Sequence, residues 1–477
     1  MTLKELARAT ATGLVLLAAA CAAPPNRAPL TQAAEGVAVT VTRDGERWTA
    51  DYALDRDAPV WAFFRSSLIS GSRRPWRLEQ WRVETPGVVL ERQGAYDILR
   101  ATDGGPVPRR VLLSFKPAQE DLEADYGVLA FSDGSVALPS GQFDVFPLAS
   151  IQEARAMPSD LNGVSLQAGP AMVTWRDRAG PVLFRGRRVA QATEADAQTY
   201  VLFGQADLIE NERLTTVADP ALPDWIGDEI GSFAPRVADV YSRRLGPGQT
   251  ERPTVMISWT GPTDGVSSMG GSVMPGLIAM NFEGVGVLNP TPEMLAVSRW
   301  FIGHESAHFW LGQTVRYQFA RDAWITEGGA DLMAVRALGG LDPAYDTRAE
   351  LQKEVDDCLR LSKDRGVASA GDRGEHRAYY ACGAVFAMAA EGALRKTGGR
   401  DVFDFLRPLI DVSREDGVLT RDEWLAELTR VSGDPSLAPD IARLLGQGAS
   451  DPAAVIARLF QRTGVAHRRD GDRILLS

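Results

Sequence analysis

"HESAHFWLGQ", residues 304–313, and "WITEGGAD", residues 324–331, are the two stretches from which the rest of the chain can be read. The sequence has only four histidines. Two of them, His304 and His308, stand four apart, with Glu305 directly after the first. Residues four apart on a helix share one face, so both imidazoles would point to one place, as a zinc ion requires. Glu305 falls one step round the helix, close enough to reach a water at the metal without ligating it, which is the general-base position of an HExxH site. Eighteen residues separate His308 from Glu327. That gap lets one helix end, a loop return and a second helix begin. A carboxylate in the first turn of the second helix completes a His-His-Glu set. Its fourth position stays open, the arrangement of a catalytic rather than a structural zinc. Asp331, one turn after Glu327, can accept a hydrogen bond from a ligand imidazole and fix its orientation.

Around these motifs the apolar period is helical. Thr291 is a good N-cap, Pro292 suits a first turn, and Gly312 is expected to end the helix that carries the histidines. A second helix is expected over "DAWITEGGADLMAVRALGG", and two more at about 344–363 and 375–394. "TVMISW" and "LIAMNF" read as buried strands on either side of a Gly-rich stretch, 261–276. The strand "GLIAMNF" is the expected edge for an added substrate strand. "TRDEWLAEL" carries a capping box at Thr420 and Glu423.

Upstream the period is two. "VAVTV", "WTADYAL" and "VLAFSDGSVAL", with Asp133-Gly134 at a turn, read as half-buried strands and hairpins. The fold class expected is α+β and multidomain. It comprises an antiparallel, sandwich-like β domain over 36–200, a catalytic domain over 201–400 and a helical region over 401–477.

Residues 1–20 have Lys4 and Arg8, then an apolar run too short to span a bilayer, then small residues before Cys21. This is similar to a bacterial lipoprotein signal, with Ala18 where that pattern usually has Leu. It implies cleavage before Cys21, a lipid on that cysteine, and an exported, membrane-anchored protein in the cell envelope. A plain secretory signal is the alternative. Residues 21–35 read as a flexible tether. Cys358 and Cys382 remain. An oxidising compartment favours their pairing, whereas their placement on helices could forbid it. The 477 residues carry a formal charge of -11 and no basic cluster, which argues against nucleic acid as a partner.

"HESAHFWLGQ…WITEGGA" resembles the zinc aminopeptidase family of aminopeptidase N. Trp310, Gly312, Trp324, Glu327 and Gly328 all match its pattern, while Gln313 and Thr326 stand where the family usually has Asn. The resemblance covers about 304–331, more weakly to about 385. It implies a gluzincin with a thermolysin-like catalytic domain, one zinc ion on His304, His308 and Glu327, Glu305 as general base, and a peptide or protein substrate. Its Tyr-x-x-Gly element, which stabilises the oxyanion, falls on Tyr380 and Gly383, with Tyr379 as the rival. Its Gly-x-Met-Glu-Asn strand, whose Glu holds a substrate's free amino group, falls on "GGSVMP" with Val273 in the Glu position. A valine cannot pair with an ammonium group. The chemistry is thus expected to be kept and the exopeptidase feature lost. The alternatives are an aminopeptidase reading the amino group through Glu210 or Glu212, and a non-catalytic peptide- or protein-binding lipoprotein with a retained zinc site.

Overall fold

A computed structural model describes residues 36–210, 215–248 and 253–477. The signal, the tether, Cys21 and Glu212 lie outside the described residues. Strands fill the first part of the chain and helices the last, as the change of period from two to 3.6 demands.

The N-terminal β region differs from a two-sheet antiparallel sandwich. Its strands form three sheets, of six, four and five strands. One pairing is parallel, between Ala38–Asp44 and Met172–Asp177. Trp48, Tyr52, Trp61, Trp81 and Trp175, each at most 5% exposed, belong to one apolar cluster that draws on all three sheets.

A second five-stranded sheet follows, in the order 209–210, 215–218, 254–261, 277–283, 268–274. The strand Ser268–Met274 lies inside the Gly-rich stretch and forms one edge of this sheet. Leu277–Glu283 is paired on both sides, to Thr254–Gly261 and to Ser268–Met274, so no substrate strand can add to it. The free edge belongs to Ser268–Met274. Tyr126, Phe131, Tyr200 and Leu202 of the β region pack against Met256, Met274 and Leu277 of this sheet, which joins the two parts.

The helix Pro292–Ala307 begins as expected, with Thr291 Oγ1 accepting from the Met294 N–H and Pro292 in the first turn. It stops earlier than expected. His308 is the C-cap, and Gly312 lies in the following turn at φ 143°. Trp324–Leu341, Thr347–Leu361 and Arg377–Lys396 are the next long helices. Cys358 and Cys382 are joined by a disulfide that ties the latter two together, their Cα atoms 4.7 Å apart. Residues 401–477 do not form a core of their own. One apolar cluster runs from Leu222 to Ile474, and Trp424 packs edge-on against Trp324 with ring centroids 5.0 Å apart.

Trp324–Leu341 and Arg377–Lys396 touch backbone to backbone. A Cβ on Gly328 would stand 2.1 Å from the Gly383 carbonyl carbon, and one on Gly383 would stand 2.1 Å from the Trp324 oxygen. Replacing Gly383 by Ala forces these helices apart. The expected loss of unfolding free energy is about 1–3 kcal/mol, read by chemical denaturation, together with weaker zinc binding. A Gly383→Ala protein as stable as the wild type would show that the contact is not needed.

Candidate metal centre

Two helices, Pro292–Ala307 and Trp324–Leu341, bring the predicted ligands together. The buried Tyr241 hydroxyl donates to the Gly303 carbonyl at 2.9 Å and braces the histidine helix from behind. On its other side the missing side chain of Gly303 lets Ala334 approach, so the helix bearing Glu327 lies close. His304 Nε2, His308 Nε2 and Glu327 Oε2 form a triangle with edges of 3.0, 3.5 and 3.4 Å. Tetrahedral ligands at about 2.0–2.1 Å from a zinc ion lie roughly 3.3 Å from one another. The triangle has that size. All three residues are at most 2% exposed. Glu327 Oε2 has no hydrogen-bond partner although it is buried, which is costly unless a cation satisfies it. Among the described residues this is the one group of His, Cys, Asp or Glu side chains that can hold a metal ion.

The rings are aimed from behind. His304 Nδ1 lies 2.8 Å from Asp331 Oδ1, and His308 Nδ1 lies 2.7 Å from the Leu311 carbonyl. Both acceptors require the proton on Nδ1, which leaves each Nε2 lone pair facing the triangle. The turn that ends the helix at His308 thus has a purpose: it curls back to place the Leu311 carbonyl under the second ring. Asp331 is fully buried and is approached by Arg377, whose guanidinium also bonds Glu354 at 2.6 Å and Asp357 at 3.0 Å. This second tier was not legible beforehand, because Arg377 lies on one helix and Glu354 and Asp357 on another, with no motif in common.

The charges are interdependent. Burial pulls His304 down, but Asp331 beside it, then Glu327 and Glu305, outweigh that and hold the ring well above the ordinary imidazole range. His308 is raised too, burial being overcome mainly by Glu327. Burial would raise Glu327, but the His308 and His304 rings bring it down to about 2. The negative field that raises both imidazoles is one that attracts a divalent cation.

Glu305 is 3% exposed and sits against the edge strand. A Cβ on Gly271 would fall 2.5 Å from its carboxyl carbon, so only glycine at 271 leaves room for it. Tyr380 stacks on His304, with centroids 5.5 Å apart and planes 21° apart. Tyr379 points elsewhere, its hydroxyl accepting from the Gly371 N–H and donating to the Ala368 carbonyl. Tyr380 is therefore the member of the pair at the metal centre. Val273 is buried in the apolar core, and its carbonyl accepts from Tyr126 Oη at 3.2 Å and Gln313 Nε2 at 3.3 Å. Glu210 lies on the opposite edge strand of the sheet, four strand spacings or roughly 19 Å away, and does not face this centre.

Two outcomes follow for metal binding. Asp331→Asn should weaken zinc roughly 10- to 100-fold, measured by competition with a chromophoric chelator, with the fold retained by circular dichroism. Zinc must also displace protons from raised imidazoles. Wild-type affinity should therefore begin to fall on acidification above pH 6.5, the ordinary imidazole value. A flat affinity from pH 8 to pH 6 would contradict this electrostatic account.

No family model and no curated protein matches the sequence. Solved structures do. The crystal structure of an aminopeptidase N family protein from Idiomarina loihiensis matches over 88% of this chain and 78% of its own, with a TM-score of 0.58 at 11% identity. Native leukotriene A4 hydrolase from Saccharomyces cerevisiae matches over 87% of this chain and 68% of its own, with a TM-score of 0.50 at 12% identity. At such identities the likeness is one of fold: the chain shares its fold with that aminopeptidase N family protein.

Proposed function

We propose that this chain is a zinc-dependent peptidase, exported by residues 1–20 and anchored through a lipid on Cys21. The proposed units are 36–200, a thermolysin-like catalytic unit over 201–400, and 401–477. The observation that carries the reading is the His304–His308–Glu327 triangle with Glu305 beside it. A structural zinc site has no need of a base in that position. The fold, shared with an aminopeptidase N family protein, supports the same reading.

One zinc ion held there supplies a Lewis acid for a substrate carbonyl and lowers the pKa of a water. The residues do the rest. Glu305 takes the proton of the attacking water and passes it to the leaving amine. Tyr380, stacked on His304, is placed to donate to the oxyanion. The free edge of Ser268–Met274 offers main-chain groups to an extended peptide. Gly271 lets that edge run directly past Glu305. Val273 supplies no charge for an α-ammonium group, so a free amino terminus is not required of the substrate.

The test is a peptide pool, half of it N-acetylated, incubated with the zinc-loaded protein and read by mass spectrometry beside Glu305→Gln. Both halves should be cleaved by the wild type. The variant should keep its zinc and lose turnover by several orders of magnitude. Undiminished hydrolysis by Glu305→Gln would remove Glu305 as the base. Cleavage of the free half alone would restore an aminopeptidase.

A further inference from the structure

We propose that His376 contacts the substrate, its imidazole hydrogen-bonding to peptide main chain lodged in the large cavity beside the metal centre. This deepens the peptidase reading and rests on it. The cavity has a volume of about 990 Å³. Tyr96 and Tyr126 of the β region line one wall, Met274 and Pro275 another, and His376 and Tyr379 a third. The metal ligands are not among its lining residues, but two elements lead from them into it. On the edge strand, Gly271 touches the Glu305 position and Met274 lines the cavity three residues later, roughly 10 Å on. On the helix Arg377–Lys396, Tyr380 stacks on His304, and His376, the N-cap of that helix with helical φ and ψ, precedes Tyr380 by four residues. His376 therefore lies one turn away on the same face, toward the cavity.

The four histidines of the chain make the case by contrast. His304, His308 and His467 each have a partner at Nδ1: Asp331, the Leu311 carbonyl and the Val465 carbonyl. Among the described residues His376 makes no side-chain hydrogen bond, and its Nε2 is a buried nitrogen left unsatisfied. Buried polar atoms are nearly always paired. An imidazole in the wall of this cavity with its Nε2 unpaired can bond a ligand held there. Its neighbour Tyr379, by comparison, is pinned to the 368–371 loop.

The chemistry of the wall selects the ligand class. Burial, and then the charge of Arg73, hold His376 below the ordinary imidazole range, so the ring is neutral at neutral pH. A neutral imidazole has one donor and one acceptor nitrogen. A peptide unit offers both an N–H and a carbonyl, and so satisfies either tautomer. Two ion pairs, Arg65 with Asp125 and Arg73 with Glu123, also stand in the cavity wall.

The experiment uses zinc-loaded Glu305→Gln with ¹⁵N-labelled histidine and a pool of N-acetylated hexapeptides. The His376 ring nitrogens should shift on addition, and those of His467 should stay. In the active enzyme, His376→Ala should lower kcat/KM for the same peptides by roughly tenfold with zinc content unchanged. His376→Gln should recover part of the loss. An unmoved His376 signal, whether peptide binds elsewhere or not at all, overturns the proposal. Hydrolysis by the wild type with His376 unmoved sinks this inference alone. A moved signal without any hydrolysis sinks the peptidase reading and leaves the contact standing.

Discussion

The backbone contact between Gly328 and Gly383 is the constraint on which the centre depends. Helices normally pack about 8–10 Å apart because side chains stand between them. Here neither partner has one, and the peptide planes meet. Glu327 is the residue before Gly328, and Tyr380 comes three before Gly383. Both are therefore fixed against the histidine helix by a contact that allows no slack. The contact is loaded from behind as well. Trp324, which opens the helix of Glu327, is boxed in by Phe386 and Trp424, and Trp424 in turn by Phe405. Residues 401–477, through Phe405 and Trp424, thus help to hold the helix that carries Glu327.

Buried charge is the second constraint. His304, Glu305, His308, Glu327 and Asp331 are each at most 3% exposed. Such a group is stable only when every member has a partner. The arrangement meets that demand in tiers for all but Glu327 Oε2, the atom left for a cation. Asp331 holds His304, Arg377 approaches Asp331, and Glu354 and Asp357 hold Arg377, whose side chain is 32% exposed. The disulfide joins the helix of Glu354 and Asp357 to the helix of Arg377. The covalent link and the ionic tier therefore secure the same pair of helices.

What the sequence made legible was local. The i, i+4 histidines, the Thr291 cap, the Thr420–Glu423 box and the spacing to Glu327 are written in short-range periodicity, and each is found in place. Asp331 was legible because it is one turn from a ligand. Three kinds of feature were not. The edge strand Ser268–Met274 was hidden because glycine and serine carry no β pattern, although the glycine is what admits Glu305. The end of the histidine helix was misplaced because Gly312 looked like a stop, whereas the turn is set by the bond from His308 to the Leu311 carbonyl. The third kind was tertiary. The three sheets of the β region, the shared core of residues 401–477 and the cluster around Arg377 bring together residues with no common spacing.

The edge strand also bears on how a substrate chain would run. Val273 and Gly271 share a face, since side chains alternate along a strand. Gly271 leaves that face open at Glu305, and Val273 closes it two residues later with a buried methyl pair. A carbonyl oxygen has two lone pairs. Those of Val273 are taken by Tyr126 Oη and Gln313 Nε2, one from the β region and one from the turn after His308. An added strand therefore loses its acceptor at 273 and can pair only with the residues before it. The strand edge ends where the cavity begins, at Met274 and Pro275. On the reading proposed here, an extended peptide leaves the sheet at that point and enters the cavity. In an ammonium-reading enzyme the chain would stop at the position of Val273; in this one that position closes a wall and the path continues past it.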